Sequence, residues 1–598
     1  MTTVVRSLVY LALACRLAAQ AGSIPDAETV SVPTPARLAT VQAAALRDGW
    51  SPQSAALRAA AFRAYERGQL AAGAAWLNVY RWSALFGEAE TEFVPRWIAA
   101  VQSARVAHAN MPARYEPRAR PLAAIVSRDL QAWLVGDAKF SAEFFSILTP
   151  VDYLPKTLEI LNDLHQRDPA RFKNYASLAL ALAVVYDVPP PPGWPHGQVT
   201  AEALPRIWPS PAAAFAWWVR QGEQGRTYHR LTRLGADELK FVVDAAAPFP
   251  ELEWAQGAAN VPLNQLARAY DMIRYRRDRL TSDRPIWPGD TYRLAEILTA
   301  GGICADQAYF ATQVGKARGV PTLLICGAGN DGRHAWFGFL DGNQAWQLDA
   351  GRYAEQRFVT GYAFDPQTWS EVSDHDLKFL AERFRALPPF KESRVHQIFA
   401  AEYLAAGQAP AAGAAARKAV NYERRNEAGW ETLIAAARKE GRDAKTVEGL
   451  LREAALAFQR YPDIEARYVN RVADSLRARG ETSAAEAEVR RISVKNKDQR
   501  GDLSVQQARD SVRRVIATEP LAGQIRAYNA AVDLQGRGAG AGFFDEVVTG
   551  FVEHLVNLGR KPEALQAIER AQRTLKVEPN TQLAADFDRL TRRVKETP

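Results

Sequence analysis

Apolar and polar positions along this 598-residue chain change rhythm twice. From about Val41 to residue 245 the apolar residues recur at three- and four-residue steps, the period of a helix with one buried face. The segment AAFRAYERGQLAAGAAWLNVYRW predicts a helical hairpin, with Gly68 placed to stop one helix before Ala71–Trp82 forms the next. Helical periodicity continues through LPKTLEILNDLHQRDPARFKNYASLALALAVVYD and ends at the proline run 188–195. That run cannot continue a helix, and it reads as a stiff loop at a domain edge.

Between about 246 and 370 the texture differs. Helical segments are expected around Leu263–Arg279 and Thr291–Leu298, then a helix from Cys304 to about Arg318 with Ala308, Ala311, Val314 and Ala317 on one face. Short apolar runs at 322–326, 334–340 and 345–349 follow, separated by Gly, Asn and Asp, and read as strands joined by tight turns. A helix followed by antiparallel strands predicts an α+β domain. After about Val395 the helical period returns, with helices ending at Gly407, Gly441, Gly480 and Gly559. Gly407 and Gly441 stand 34 residues apart, the next interval is 39, and alanines fill close-packing positions in between.

The order of segments is therefore a leader at 1–21, a Pro/Ala/Thr/Ser-rich linker at 22–40, a helical region at 41–245, an α+β domain at 246–370 and helical repeats at 395–598. The leader combines Arg6, an apolar run Leu8–Ala14 and Ala19-Gln20-Ala21, the pattern of a secretory signal peptide cleaved after Ala21. The run is too short to span a bilayer, and no other stretch has the roughly 18 to 20 consecutive apolar residues that a spanning helix needs. The expectation is an exported protein, periplasmic or secreted, without a transmembrane helix.

Lysine and arginine number 75 against 67 aspartate and glutamate, giving +8 and a pI near 9.2. The basic residues alternate with acids along the chain, so solvated helix faces account for the charge and no nucleic-acid partner is expected. Beyond the leader only Cys304 and Cys326 remain, too few for a disulfide framework. Cys326, inside an apolar run, is expected in the core. The histidines are scattered, with no HExxH and no zinc spacing, and no phosphate-binding or nucleophile-elbow motif occurs, so no metal and no cofactor are implied.

Cys304 is different. It follows Gly301-Gly302 and opens a helix, where unpaired N–H groups favour a thiolate and can meet a developing oxyanion. A nucleophilic sulfur also needs an oriented imidazole. His334 begins one predicted strand and Asp349 ends the next run, so neighbouring strands can bring them together. Asp306 and Gln307 fall in the helix's first turn, and Trp336 and Trp346 read as core or cleft walls. The second oxyanion donor is left unassigned, Trp287 being the one residue named for it.

Four elements in order, G-x-C at Gly302–Cys304, R-G-V-P at Arg318–Pro321, H-A-W at His334–Trp336 and W-x-L-D at Trp346–Asp349, resemble the transglutaminase-like superfamily of cysteine enzymes over about 100 residues. The resemblance implies a papain-like fold, with Cys304 as nucleophile, His334 as general base and acid, and Asp349 as its orienter. The reaction it implies is acyl transfer through a thioester. Residues 395–598 resemble tetratricopeptide repeats, which offer concave surfaces to protein partners. The leading expectation is a cysteine peptidase or amidase acting on a protein or peptide, with a possible protein partner on the repeats. The alternatives are a non-catalytic peptide-binding scaffold and a cross-linking transglutaminase.

Overall fold

The structure, a computed structural model, describes residues 24–104, 115–281, 287–329, 332–353, 360–496, 500–535 and 540–597. The leader at 1–21 lies outside the described residues. Within 22–40, where a linker was expected, a helix starts at Pro35 and runs to Asp48. Thr34 caps it, its hydroxyl accepting the Arg37 N–H at 3.2 Å. Proline in a first helical turn forfeits no hydrogen bond, so a composition that reads as a linker is compatible with a helix start.

The hairpin around Gly68 forms as Ser51–Glu66 and Leu70–Gly87. Further helices carry the chain to Val185, and the proline-rich loop then packs rather than standing clear. Trp194 is buried, with its ring centroid 5.6 Å from Trp369 and 5.8 Å from Trp208. One apolar cluster extends from Ile24 to Ile492, so helices before and after the sheet in sequence share one core.

Helix dominates, at 68% of the structure, with one five-stranded antiparallel sheet among the described residues. Its strands are β1 (Thr322–Ala328), β2 (Arg333–Leu340), β3 (Trp346–Ala350), β4 (Gly361–Phe364) and β5 (Glu371–Ser373), in the spatial order β3-β2-β1-β4-β5. The first three coincide with the predicted runs; β4 and β5 are too short to register as periodic patterns. Along β2, Ala335, Phe337 and Phe339 lie in the main core and Trp336 in a small cluster with Leu323, Ile325 and Leu348 on the other face, while Leu340 at the strand's end rejoins the main core.

The helix Cys304–Ala317 packs against β1 and β2, and every residue from Ala305 to Ala317 is buried, not one face alone. Two of its buried polar side chains tie it to neighbouring segments. Gln313 Oε1 accepts the Ala246 and Ala247 N–H groups, and Lys316 Nζ donates to Asp244, to Phe241 O at 2.6 Å and to Thr322 O at 2.8 Å. The chain just before residue 246 is thereby sewn to the centre of the α+β region.

After Pro388 the helices pair in succession, Pro388–Ala405 with Ala409–Tyr422, Glu427–Lys439 with Ala444–Ala457, and Pro462–Ala478 with Thr482–Asn496. Gly407, Gly441, Gly480 and Gly559 all have φ between 70° and 79°, the left-handed conformation that ends a helix. These are helical repeats. No helix among the described residues is long and apolar enough to cross a membrane.

Candidate active site

Cys304 occupies the first turn of its helix, as the sequence predicts. The preceding loop is held against residues 274–276, Gly302 N–H donating to Arg274 O at 3.0 Å and Arg276 N–H to Gly302 O at 2.8 Å. A side chain at 302 would put its Cβ 2.4 Å from that of Asp306, which explains the glycine. Asp306 is fully buried and locks the turn. It accepts the Ile303 N–H at 2.7 Å, the Tyr292 hydroxyl at 2.7 Å and an Arg279 N–H at 2.6 Å. Gln307 donates to Ile273 O at 2.9 Å.

The sulfur lies at the open edge of β2. Pairing with β3 ends at Phe337 and Ala350, so the outward N–H and C=O of Ala335 have no strand partner. The carbonyl accepts the Tyr270 hydroxyl at 2.8 Å, and the N–H is directed at the Cys304 sulfur, as is that of Ala305. Burial nevertheless dominates and pushes the Cys304 thiol above its ordinary pKa, against the pull of those amides. Desolvation of a charge thus works against the thiolate that the helix start favours, and here it outweighs the helix-end field.

His334 stands one residue before Ala335, buried, at the start of β2. Its ring stacks on Tyr353 at 4.4 Å between centroids, lies 5.9 Å from Trp336 and is 6.3 Å from Tyr270. Burial lowers its pKa, with Arg352 adding to the effect and the Gly351 carbonyl opposing it. Cys304 and His334 thus converge on Tyr270 and Ala335, but the structure records no hydrogen bond between the sulfur and the ring.

Asp349 does not orient His334. Its carboxylate is exposed, paired with Arg352 at 2.6 Å and with Lys378 at 3.8 Å, and it lines an open cavity of about 840 Å³ beside the β2–β3 hairpin. The alternation of β3 explains this: Leu348 packs inward against Trp336 and its neighbour Asp349 points away. The orienting bond comes instead from His334 Nε2–H to Gly351 O at 2.8 Å. A carbonyl only accepts, so Nε2 carries the proton and Nδ1 is the basic nitrogen.

Trp287 is committed elsewhere, its indole N–H donating to Thr291 O at 2.8 Å. Cys326 is free and exposed, not in the core. No disulfide joins it to Cys304. Trp336 is fully buried and donates to Leu348 O at 2.9 Å; Trp346 is half-buried against Phe241. Tyr270, Tyr275 and Gly351 are site residues that the sequence does not single out. Burial raises both phenols, Tyr275 to about 12, with Cys304 nearby adding to each, so they remain protonated donors at neutral pH. Among the described residues no group of three or more His, Cys, Asp or Glu is placed to hold a metal ion.

Comparison with protein-family models and with curated proteins finds no match to this chain.

Proposed function

We propose that the chain is a transglutaminase-like cysteine hydrolase, a peptidase or amidase acting on a protein or peptide through a thioester. The observation that carries this reading is the sulfur of Cys304 at a helix start, faced by the backbone N–H groups of Ala305 and Ala335 and one residue along β2 from the buried, singly oriented His334.

In this reading the sulfur attacks the amide carbonyl while its proton passes to His334 Nδ1, so a neutral thiol and neutral imidazole are a competent starting pair. The oxyanion is met by the Ala335 and helix-start N–H groups, which supply the donor the sequence leaves unassigned. The imidazolium then protonates the departing amine and leaves a thioester. Water, deprotonated by the same ring, releases the acid and restores the thiol. If an amine takes the place of water, the outcome is cross-linking. The signal-peptide-like leader supports export, and the C-terminal repeats, which resemble tetratricopeptide repeats, supply a surface for a protein substrate or partner.

A second reading has its own support. The missing Cys304–His334 hydrogen bond and the raised thiol pKa suit a peptide-binding scaffold. Hydrolysis of a fluorogenic peptide-amide library by the wild type, Cys304→Ala and His334→Ala separates the two. Hydrolysis lost in both variants supports the enzyme; cleavage that is absent or equal in all three leaves the scaffold.

A further inference from the structure

The β1–β2 hairpin that carries His334 is held at its tip by the far C-terminal end of the chain, some 200 to 250 residues away in sequence. Arg333, immediately before His334, reaches two helical elements at once. Its Nε donates to Asp545 at 3.1 Å and its Nη1 to Asp586 at 2.8 Å, while its own backbone N–H donates to Gln582 Oε1 at 2.7 Å. Asp545 lies in the turn Phe544–Val548, and Gln582 and Asp586 in the helix Gln582–Glu596. The other strand is held too. Gly329 O accepts the Ala541 N–H at 3.0 Å, and Ala328 packs against the apolar cluster of the C-terminal helices. Ala328 pairs with Arg333 and Gly327 with His334, so both strands are fixed within one residue pair of the imidazole.

Resting on the hydrolase reading above, we propose that Arg333 is a positioning residue, and that the Arg333–Asp545–Asp586 triad makes the C-terminal helices part of the catalytic unit by fixing the strand that presents His334. The physical case is geometric. At the His334 end, β2 has lost its β3 neighbour, and its edge carbonyl is held by Tyr270. The arginine fork supplies the restraint that the ladder no longer provides, through charge-assisted bonds of fixed direction. Asp586 is 8% exposed, so the contact with it is partly shielded from solvent, unlike an ordinary surface ion pair. A sub-ångström to ångström shift of a general base reduces catalysis far more than it changes substrate affinity.

The test uses the full-length protein and the fluorogenic peptide-amide library. Arg333→Met, Asp545→Asn and Asp586→Asn are each expected to lower kcat by roughly 10- to 100-fold with KM changed by less than about twofold. Arg333→Met combined with Asp586→Asn is expected to be no worse than Arg333→Met alone, as for members of one network. Arg333→Lys, which keeps the charge but not the fork, is expected to recover only part of the loss. Hydrogen–deuterium exchange over residues 332–337 is expected to rise in Arg333→Met whether or not a substrate turns over. If cleavage depends on Cys304 and His334 but Arg333→Met retains wild-type kcat, or if exchange in the hairpin is unchanged, the positioning role is overturned and the hydrolase reading stands. If Cys304→Ala cleaves like the wild type, the hydrolase reading fails, and the catalytic role of Arg333 falls with it.

Discussion

His334 Nε2–H donates to the backbone carbonyl of Gly351 at 2.8 Å, and this bond alone decides which ring nitrogen is free to act as a base. A backbone acceptor cannot be changed by substituting its own side chain, but Gly351 can be perturbed through its conformation. It sits at φ 85°, and a Cβ there would lie 2.6 Å from the Tyr270 ring. Gly351→Ala is expected to cost about 1–3 kcal/mol of stability from left-handed strain, before the overlap is counted. It should also lower hydrolysis at least tenfold by moving the carbonyl. Denaturant midpoints and initial rates check the two effects separately.

Asp349 provides the opposing case. Because its carboxylate faces Arg352 and Lys378 in an exposed position, Asp349→Asn is expected to change the rate of peptide-amide cleavage by less than about threefold. His334→Ala should remove the roughly 10²–10⁴-fold contribution of a general base. A loss in Asp349→Asn equal to that in His334→Ala would show that the aspartate joins the ring during turnover.

The raised pKa of Cys304 has a definite sign in both reactivity and stability. Alkylation of Cys304 by iodoacetamide, read by peptide mass spectrometry, is expected to be slower at pH 7 than that of an unhindered thiol and to climb with pH beyond the ordinary thiol range. A plateau already reached near neutrality would mean a resting thiolate. Since the folded pKa lies above the unfolded one, the neutral thiol's contribution to stability is fully present below the unfolded value and is lost as pH rises through the folded value. Stability should therefore fall less steeply at alkaline pH in Cys304→Ala than in the wild type.

Asp306 accepts three hydrogen bonds in a fully buried position and pairs with the buried Arg279. Asp306→Ala is expected to destabilise the protein by roughly 3–5 kcal/mol, the scale for stranding a buried charge. It should also loosen the Cys304 helix start, read as faster exchange of the amides at 303–306.

Much of this architecture is legible in the sequence because it depends on local rules. The helix opening at Cys304, the three runs that became β1–β3, the hairpin around Gly68 and the repeat ends at Gly407, Gly441, Gly480 and Gly559 each follow from periodicity and from glycine's backbone freedom. The helix at Pro35 and strands β4 and β5 escaped because a proline-rich start and three- or four-residue strands carry too little local signal.

What residue order by itself determined is which groups exist and on which element each sits, Cys304 at a helix start, His334 and Asp349 on adjacent strands. Only the tertiary structure decided what those groups meet. Alternation along β3 turned Asp349 toward Arg352, a backbone carbonyl took its place at His334, burial pushed the Cys304 thiol pKa up, and Arg333 found its partners in helices at the far end of the chain. Periodicity places a side chain on a face; its direction, its desolvation and its distant neighbours exist only once the elements have packed.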